Sequence, residues 1–377
     1  MIYFDNASTT AISEPVLEVV YEALKNSYAN PSSLHKAGFD VERLVDKARK
    51  QVAKALKVQP DDIYFTSGGT EANNTAILGI RAAAKQGRHL ITTVFEHPSV
   101  SDSFHRLEQE GWKVTYLPVN EKGYVSVDDL RAAMDEDTVF VSIMYVNNEV
   151  GTVQDIAALS KAVKEINPRC IFHTDCVQAF GKHQIPSAHV DMISVSGHKI
   201  HAPKGVGAIY VKKGVKLDPL HYGGGQEKGF RPGTENTASI IGFGLAAELA
   251  VEDMEKSNGM VSDVRSALYK GLSSLEGVLV NGDLEKGSPY ILNLSFDGVK
   301  GEVLLHALEA VGIYTATGSA CSAKLKKKKK IVDLLVEGRG ENNVRFSFSA
   351  YNTTEEAQIA AEEVIKAVTM LRRFQPG

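Results

Sequence analysis

The sequence predicts an α/β fold: a mostly parallel sheet covered by helices on both faces, followed by a smaller α+β domain. Two observations carry this. Seven short apolar runs (DIYFTS, HLITTV, KVTYLPV, TVFVSIMYV, CIFHTD, DMISVS and GAIYVKK) recur with helical stretches between several of them. Strands that alternate with helices build parallel sheets buried on both sides. Beyond about Gly242 the style changes to a long helical stretch, Ile241 to Gly277, and two more strand-like runs, ILNLSF (291–296) and VRFSFS (344–349). A chain of 377 residues exceeds one compact core. We therefore expect a large domain over 14–255 and a small one from 1–13 with 256–377, the long helix serving as the hinge region.

Taken in order, the first helical signal runs from Val41 to Lys57, where Val41, Leu44, Val45, Ala48, Val52, Ala55 and Leu56 fall near helical spacing. DIYFTS then leads into GGTEANN, a Gly-Gly-Thr turn opening a helix. HLITTV leads to Glu96 and His97, and TVFVSIMYV to Asn147, Asn148 and Glu149. A helix is expected over Asp155–Ile166. CIFHTD ends in Asp175, and DMISVS ends in Ser196, followed by Gly197, His198 and Lys199. All these polar residues belong at one edge of the sheet, where the ligand crevice of such folds lies.

Composition narrows the function classes. Hydrophobic residues make up 43% and charged residues 23%, as in ordinary soluble proteins. A formal net charge of −4 argues against general nucleic-acid binding, so no direct nucleic-acid partner is expected. Three cysteines, Cys170, Cys176 and Cys321, contain no CxxC pair and make neither a disulfide framework nor a zinc site. The opening MIYFDNASTT carries no secretory signal. No apolar run reaches the roughly 20 residues of a membrane span. The expectation is a cytoplasmic protein with no metal.

The strand-end residues have a chemistry in common. Gly68 and Gly69 let a ligand approach the backbone, and the helix beginning near Thr70 offers free N–H groups to a phosphate. The stretch is neither a Walker loop nor a dinucleotide fingerprint, and alone it is equally an ordinary strand–helix turn. Asp175 and Lys199 add to it. A carboxylate can pair with a protonated pyridine nitrogen, and an amine can form a Schiff base with an aldehyde. Together with a phosphate cup, these are the requirements of pyridoxal 5'-phosphate (PLP). His97 could stack on the ring and Gln178 could bond its oxygen. Each has a plainer alternative: a helix cap for Asp175, a solvated lysine, a structural histidine. Their joint placement favours the cofactor. Cys321, in TGSACSAKLKKKKK (317–330), reads either as a loop nucleophile activated by a positive field or as a buried spacer.

Beyond these readings, FDNASTT (4–10), NPSSLHKAG (30–38), FTSGGTEANN (65–74), EHPSV (96–100), VNNEVGTVQDI (146–156), HTDCVQ (173–178), SGHKIHAPKGVGAIYV (196–211), GGGQEKGFRPGTEN (223–236) and GSACSA (318–323) stand in the order found in cysteine desulfurases. The chain resembles this NifS/IscS-like family over essentially its whole length. That resemblance implies the fold-type I, aspartate-aminotransferase-like architecture of PLP enzymes in the class-V aminotransferase superfamily. It implies removal of sulfur from L-cysteine to give L-alanine and a persulfide on Cys321, passed to an acceptor protein for Fe–S cluster assembly or tRNA thiolation. Lys199 resembles the Schiff-base lysine, Asp175 the partner of the ring nitrogen, Gln178 that of the ring oxygen, and His97 the stacking histidine. Asn148 resembles a residue near ring and substrate. Gly69, Thr70, Ser196 and His198 resemble the phosphate cup. Thr234 resembles the threonine that reaches the phosphate of the other subunit, which implies a homodimer. Arg345 resembles the arginine that clamps the substrate carboxylate, and Cys321 the mobile-loop nucleophile. The chain departs from the family pattern at Cys176, read as a small packed residue, and at the lysine run 326–330, read as a solvated segment rather than an acceptor-docking site. Alternative functions are a related PLP lyase or transaminase, such as one acting on selenocysteine, and a weakly active sulfur-relay scaffold. Cys321 argues against the first, and joint retention of Lys199, Asp175, His97 and Cys321 against the second.

Overall fold

Backbone pairing gathers the seven apolar runs into one sheet. The computed structural model describes residues 1–318 and 330–373. The chain opens with β1 (Ile2–Tyr3), α1 (Glu14–Asn26) and α2 (Lys36–Leu56), then β2 (Ile63–Thr66), α3 (Gly69–Leu78), β3 (His89–Thr93), α4 (Pro98–Gln109) and β4 (Lys113–Leu117). Next come α5 (Val127–Ala133), β5 (Thr138–Ser142), α6 (Ile156–Ile166), β6 (Ile171–Asp175), β7 (Met192–Ser196), β8 (Gly207–Val211) and α7 (Thr237–Glu252). The remainder is α8 (Met254–Gly271), β9 (Val278–Asn281), β10 (Ile291–Phe296), α9 (Gly301–Glu309), β11 (Ile313–Tyr314), α10 (Ile331–Leu335), β12 (Asn343–Ser347) and α11 (Thr354–Arg373).

The large sheet has the order β2-β8-β7-β6-β5-β3-β4. The pairs β6–β7, β5–β6, β3–β5 and β3–β4 are parallel, and β8 runs antiparallel to both its neighbours. Successive strand residues face opposite sides, and the cores divide accordingly. Ile91, Val141, Ile193 and Ala208 pack with Val52 of α2, Val163 of α6 and Phe243 of α7. Their neighbours Leu90, Phe140, Met192 and Ile209 pack on the other face with Ile77 of α3 and Phe104 of α4. Burial on both faces explains why the inner strands read as apolar runs rather than alternating ones, whereas in the edge strand β4 only Leu117 is buried.

A second core joins Leu268 of α8, Phe296 of β10, Leu304 of α9, Phe346 of β12 and Val364 of α11. Its antiparallel sheet has the order β12-β10-β9, and β1 pairs in parallel with β11. The single long helix expected over 241–277 is instead two helices, α7 and α8, separated at Asp253. The cause is packing. Ile240, Phe243 and Ala247 of α7 bury in the large core, whereas Val261, Val264 and Leu268 of α8 bury in the small one. One straight rod cannot face both. A Cβ on Gly244 of α7 would meet the Ala48 backbone, so glycine permits this close α2–α7 contact.

Candidate active site

The carboxyl ends of the parallel strands and the starts of α3 and α4 surround a cavity of about 230 Å³. Every residue singled out from sequence for a cofactor or substrate lines it, apart from Gly68 and Thr234. Thr234 is exposed on the loop before α7. Cys321 and Lys326–Lys329 lie outside the described residues, while Lys330 is exposed.

At the centre of the cavity, Lys199 ends a single 3₁₀ turn directly after β7. Its Nζ donates to Ala7 O at 2.6 Å and Ser8 O at 2.7 Å, and Gln178 Nε2 donates to the same Ala7 O at 2.8 Å. The N-terminal segment thus closes over the amine. Asp175, the last residue of β6, accepts from Val177 N at 2.9 Å and from Asn73 Nδ2 at 2.7 Å. Burial raises its carboxyl pKa, and the Val177 N–H, His97, Asn73 and Lys199 pull against it.

His97 caps α4, its Nδ1 accepting from Ser99 N at 3.1 Å with Ser99 Oγ 2.8 Å away. A backbone N–H can only donate, so Nδ1 is unprotonated and the ring proton belongs on Nε2. Burial holds the imidazole pKa below its ordinary value, which keeps the ring neutral. Asn73 Nδ2 also reaches Ser99 Oγ at 2.9 Å, linking the histidine to the aspartate.

Towards β2, the first turn of α3 presents backbone N–H groups that lack intrahelical partners. A Cβ on Gly69 would lie 2.6 Å from Val177 Cγ2, so this close fit requires glycine. Ser196 Oγ is buried with no hydrogen-bond partner. His198 Nδ1 lies 3.1 Å from Thr9 Oγ1, and burial followed by Lys199 pushes its pKa down to about 4. Arg345 of β12 forms the far wall. It is fully buried, with Nη1 donating to Asn148 O at 2.8 Å and Nη2 to Asp5 Oδ1 at 2.7 Å and Ser8 Oγ at 2.8 Å.

Residues 2–359 match the family Aminotransferase class-V. The chain belongs to the class-V aminotransferases. A "Cysteine desulfurase IscS" of Clostridium botulinum is 42% identical over 383 residues, covering 100% of this chain and 96% of that protein. A solved structure titled "NIFS-LIKE PROTEIN" superposes with a TM-score of 0.92 at 36% identity, covering 98% of this chain and 99% of the other. Another, "SspA in complex with cysteine", gives a TM-score of 0.82 at 31% identity, covering 94% and 100%.

In this class-V aminotransferase several cavity residues escaped sequence reasoning. Asn73 sat unmarked inside a helical run, and Ala7 and Ser8 act partly through carbonyls, which carry no side-chain signature. Conversely, three of the strand-end residues, Glu96, Asn147 and Glu149, do not line the cavity. Asn147 Oδ1 pins its own loop by accepting from Glu149 N and Val150 N. The Glu149 carboxylate lies beside Gly318. Cys176 is wholly buried and its thiol pKa is driven up by burial, as an inert packed residue requires.

Glu96 is also buried. Its Oε1 accepts from Thr93 Oγ1 at 2.8 Å and Met144 N at 3.0 Å, and Oε2 has no partner. Burial lifts its pKa from 4.5 to about 8. With the folded pKa above the unfolded one, the folded state favours the protonated form; its stabilisation is complete below about pH 4.5 and lost as pH rises to about 8. Glu96→Gln keeps the Oε1 acceptor without the charge. We expect equal melting temperatures at pH 4.5, and at pH 9 a variant higher by at least about 2 °C. Equal melting at both pH values would rule out titration of this carboxyl.

Proposed function

We propose that the chain is a PLP-dependent cysteine desulfurase. The observation that carries this reading is the convergence of Lys199, Asp175, the α3 N-terminus and Arg345 on one cavity. The residues present fit the cofactor. The orphaned Ser196 Oγ and the free N–H groups after Gly68 suit a phosphate, Asp175 a protonated ring nitrogen, and Lys199 an aldehyde. When bound, the cofactor supplies an aldehyde that captures amines and a ring that spreads negative charge.

The protein's own groups do the rest. Lys199 Nζ, the amine that would hold that aldehyde, would when free take the substrate α-proton. Arg345 and Asn148 orient the substrate carboxylate. His97, neutral with a proton on Nε2, would cover the ring face, and Gln178 would hold its oxygen. The Cys321 thiolate attacks the substrate sulfur. An S–S bond forms as the C–S bond breaks, its electron pair stays on carbon, and protonation yields alanine. The persulfide then passes to an acceptor protein by thiol exchange.

Two anchors support Cys321 in this role. Ala316 pairs with Arg345 at the cavity wall, and Gly318 follows two residues later. Cys321, three residues further on, lies outside the described residues. On the return side, Val332 and Leu335 pack on Phe95 and Val150. The reading extends to a homodimer, supported by exposed Thr234 and by exposed Tyr21, Leu24, Tyr28, Leu34 and Phe39. It extends also to the division into a large domain over 14–255 and a small one over 1–13 and 256–377, to Fe–S cluster assembly or tRNA thiolation as destination, and to a cytoplasmic location. Free Cys170 and Cys176 suit a reducing compartment. Among the described residues no helix is long and apolar enough to cross a membrane.

The test is alanine production from L-cysteine by PLP-loaded protein, wild type beside Cys321→Ala. We expect alanine from the wild type and almost none from the variant. Equal production by both would hand the chemistry to a lyase that needs no thiol.

A further inference from the structure

Arg345 is only 1% exposed, yet most of its donors are already engaged. A guanidinium binds a carboxylate bidentately through two neighbouring N–H groups. These are either Nε–H with one Nη2–H, or one N–H each from Nη1 and Nη2. Both forks need Nη2. Its two donors run to Asp5 Oδ1 at 2.7 Å and Ser8 Oγ at 2.8 Å, and Ser8 Oγ in turn donates to Asp5 Oδ1 at 2.8 Å. Nη1 holds Asn148 O, and Nε is buried without a partner. A carboxylate ligand therefore has to displace Asp5 or Ser8 to engage a fork.

We propose that Asp5 is the resting counter-ion of Arg345, displaced by an incoming carboxylate, and that its charge restricts the site to zwitterionic amino acids. The inference rests on Arg345 being the fork for the substrate carboxylate. Charge balance supplies the selection. Arg345 and Asp5 together are neutral, and a buried unpaired charge is costly. A simple carboxylic acid would leave one uncompensated negative charge at the fork. An amino acid enters with its own ammonium, which balances the displaced Asp5 before the amine is taken up by the aldehyde. Asp5 is placed for that exchange. Its side chain is 21% exposed, and it sits three residues from Ser8, whose carbonyl accepts from Lys199. Asp5 is thus a positioning and specificity residue, one that touches the guanidinium and not the reacting atoms.

The experiment measures calorimetric binding of L-alanine and of propionate, the same skeleton without the amine, to PLP-loaded wild type, Asp5→Asn, Ser8→Ala and Arg345→Ala. Wild type should prefer alanine. Asp5→Asn should gain about tenfold in propionate affinity, or about 1.4 kcal/mol, so that the alanine-to-propionate ratio falls by that factor. Ser8→Ala frees an Nη2 donor without changing charge, so both affinities should move together and the ratio should hold. An unchanged ratio in Asp5→Asn, or equal weakening of both ligands, would make Asp5 a mere anchor and overturn the proposal. So would a collapsed ratio in Ser8→Ala, which keeps the test alive even if Asp5→Asn does not fold. Undiminished binding of both ligands by Arg345→Ala would instead overturn the fork on which the proposal rests.

Discussion

Replacing Lys199 with alanine is expected to reduce alanine formation from L-cysteine by at least roughly 10²–10⁴-fold, the span that a positioned acid–base group supplies. The true loss should be larger, because the same amine is proposed both to hold the cofactor's aldehyde and to take the α-proton. The fold should survive. Lys199 Nζ bonds two carbonyls of the N-terminal segment, Ala7 O and Ser8 O, and Gln178 Nε2 still satisfies the first. The measurement pairs an alanine assay with the visible absorbance of PLP-loaded protein. Loss of turnover with an altered absorbance maximum is the expected pair. An unchanged absorbance with full turnover would remove Lys199 from the chemistry.

Asp175→Asn is the second large effect. The carboxylate is proposed to hold the ring proton through charge, and loss of one such electrostatic contact costs on the order of 10²–10³ in kcat. Geometry adds a stability cost. Asp175 offers two oxygens to two donors, Val177 N–H and Asn73 Nδ2. An asparagine has one oxygen, so one donor would face another donor in a buried site. Leaving a buried group unpaired costs about 1–3 kcal/mol. The double variant Asn73→Asp/Asp175→Asn restores an acceptor for the donor. It should recover melting temperature while leaving kcat low. Recovery of both would mean that a negative charge anywhere in this cluster suffices.

Much of this protein was legible before its structure. All seven sheet strands were marked by apolar runs, the inner ones because burial on both faces of the sheet leaves little room for polar alternation. The residues that line the cavity were marked by position, since a parallel sheet delivers its strand ends to one edge. Lys199, Asp175, His97 and Ser196 could be grouped on that argument alone. The failures have equally physical causes. Periodicity reports that a segment is helical but not which core it faces, so α7 and α8 merged into one expected helix. Glu96, Asn147 and Glu149 sit at the same edge as the cavity residues, and only side-chain direction separates them.

The sequence by itself determined the architecture, the donor set and the family, because hydrophobic period and ordered motifs are written along the chain. Tertiary structure alone decided the couplings. Asn73 reaches Asp175 across 102 residues, and Arg345 reaches Asp5 across 340. No local pattern encodes such pairs. They exist because folding brings β12 and the N-terminal segment against one sheet edge, where a buried charge has to find its partner or remain unpaired.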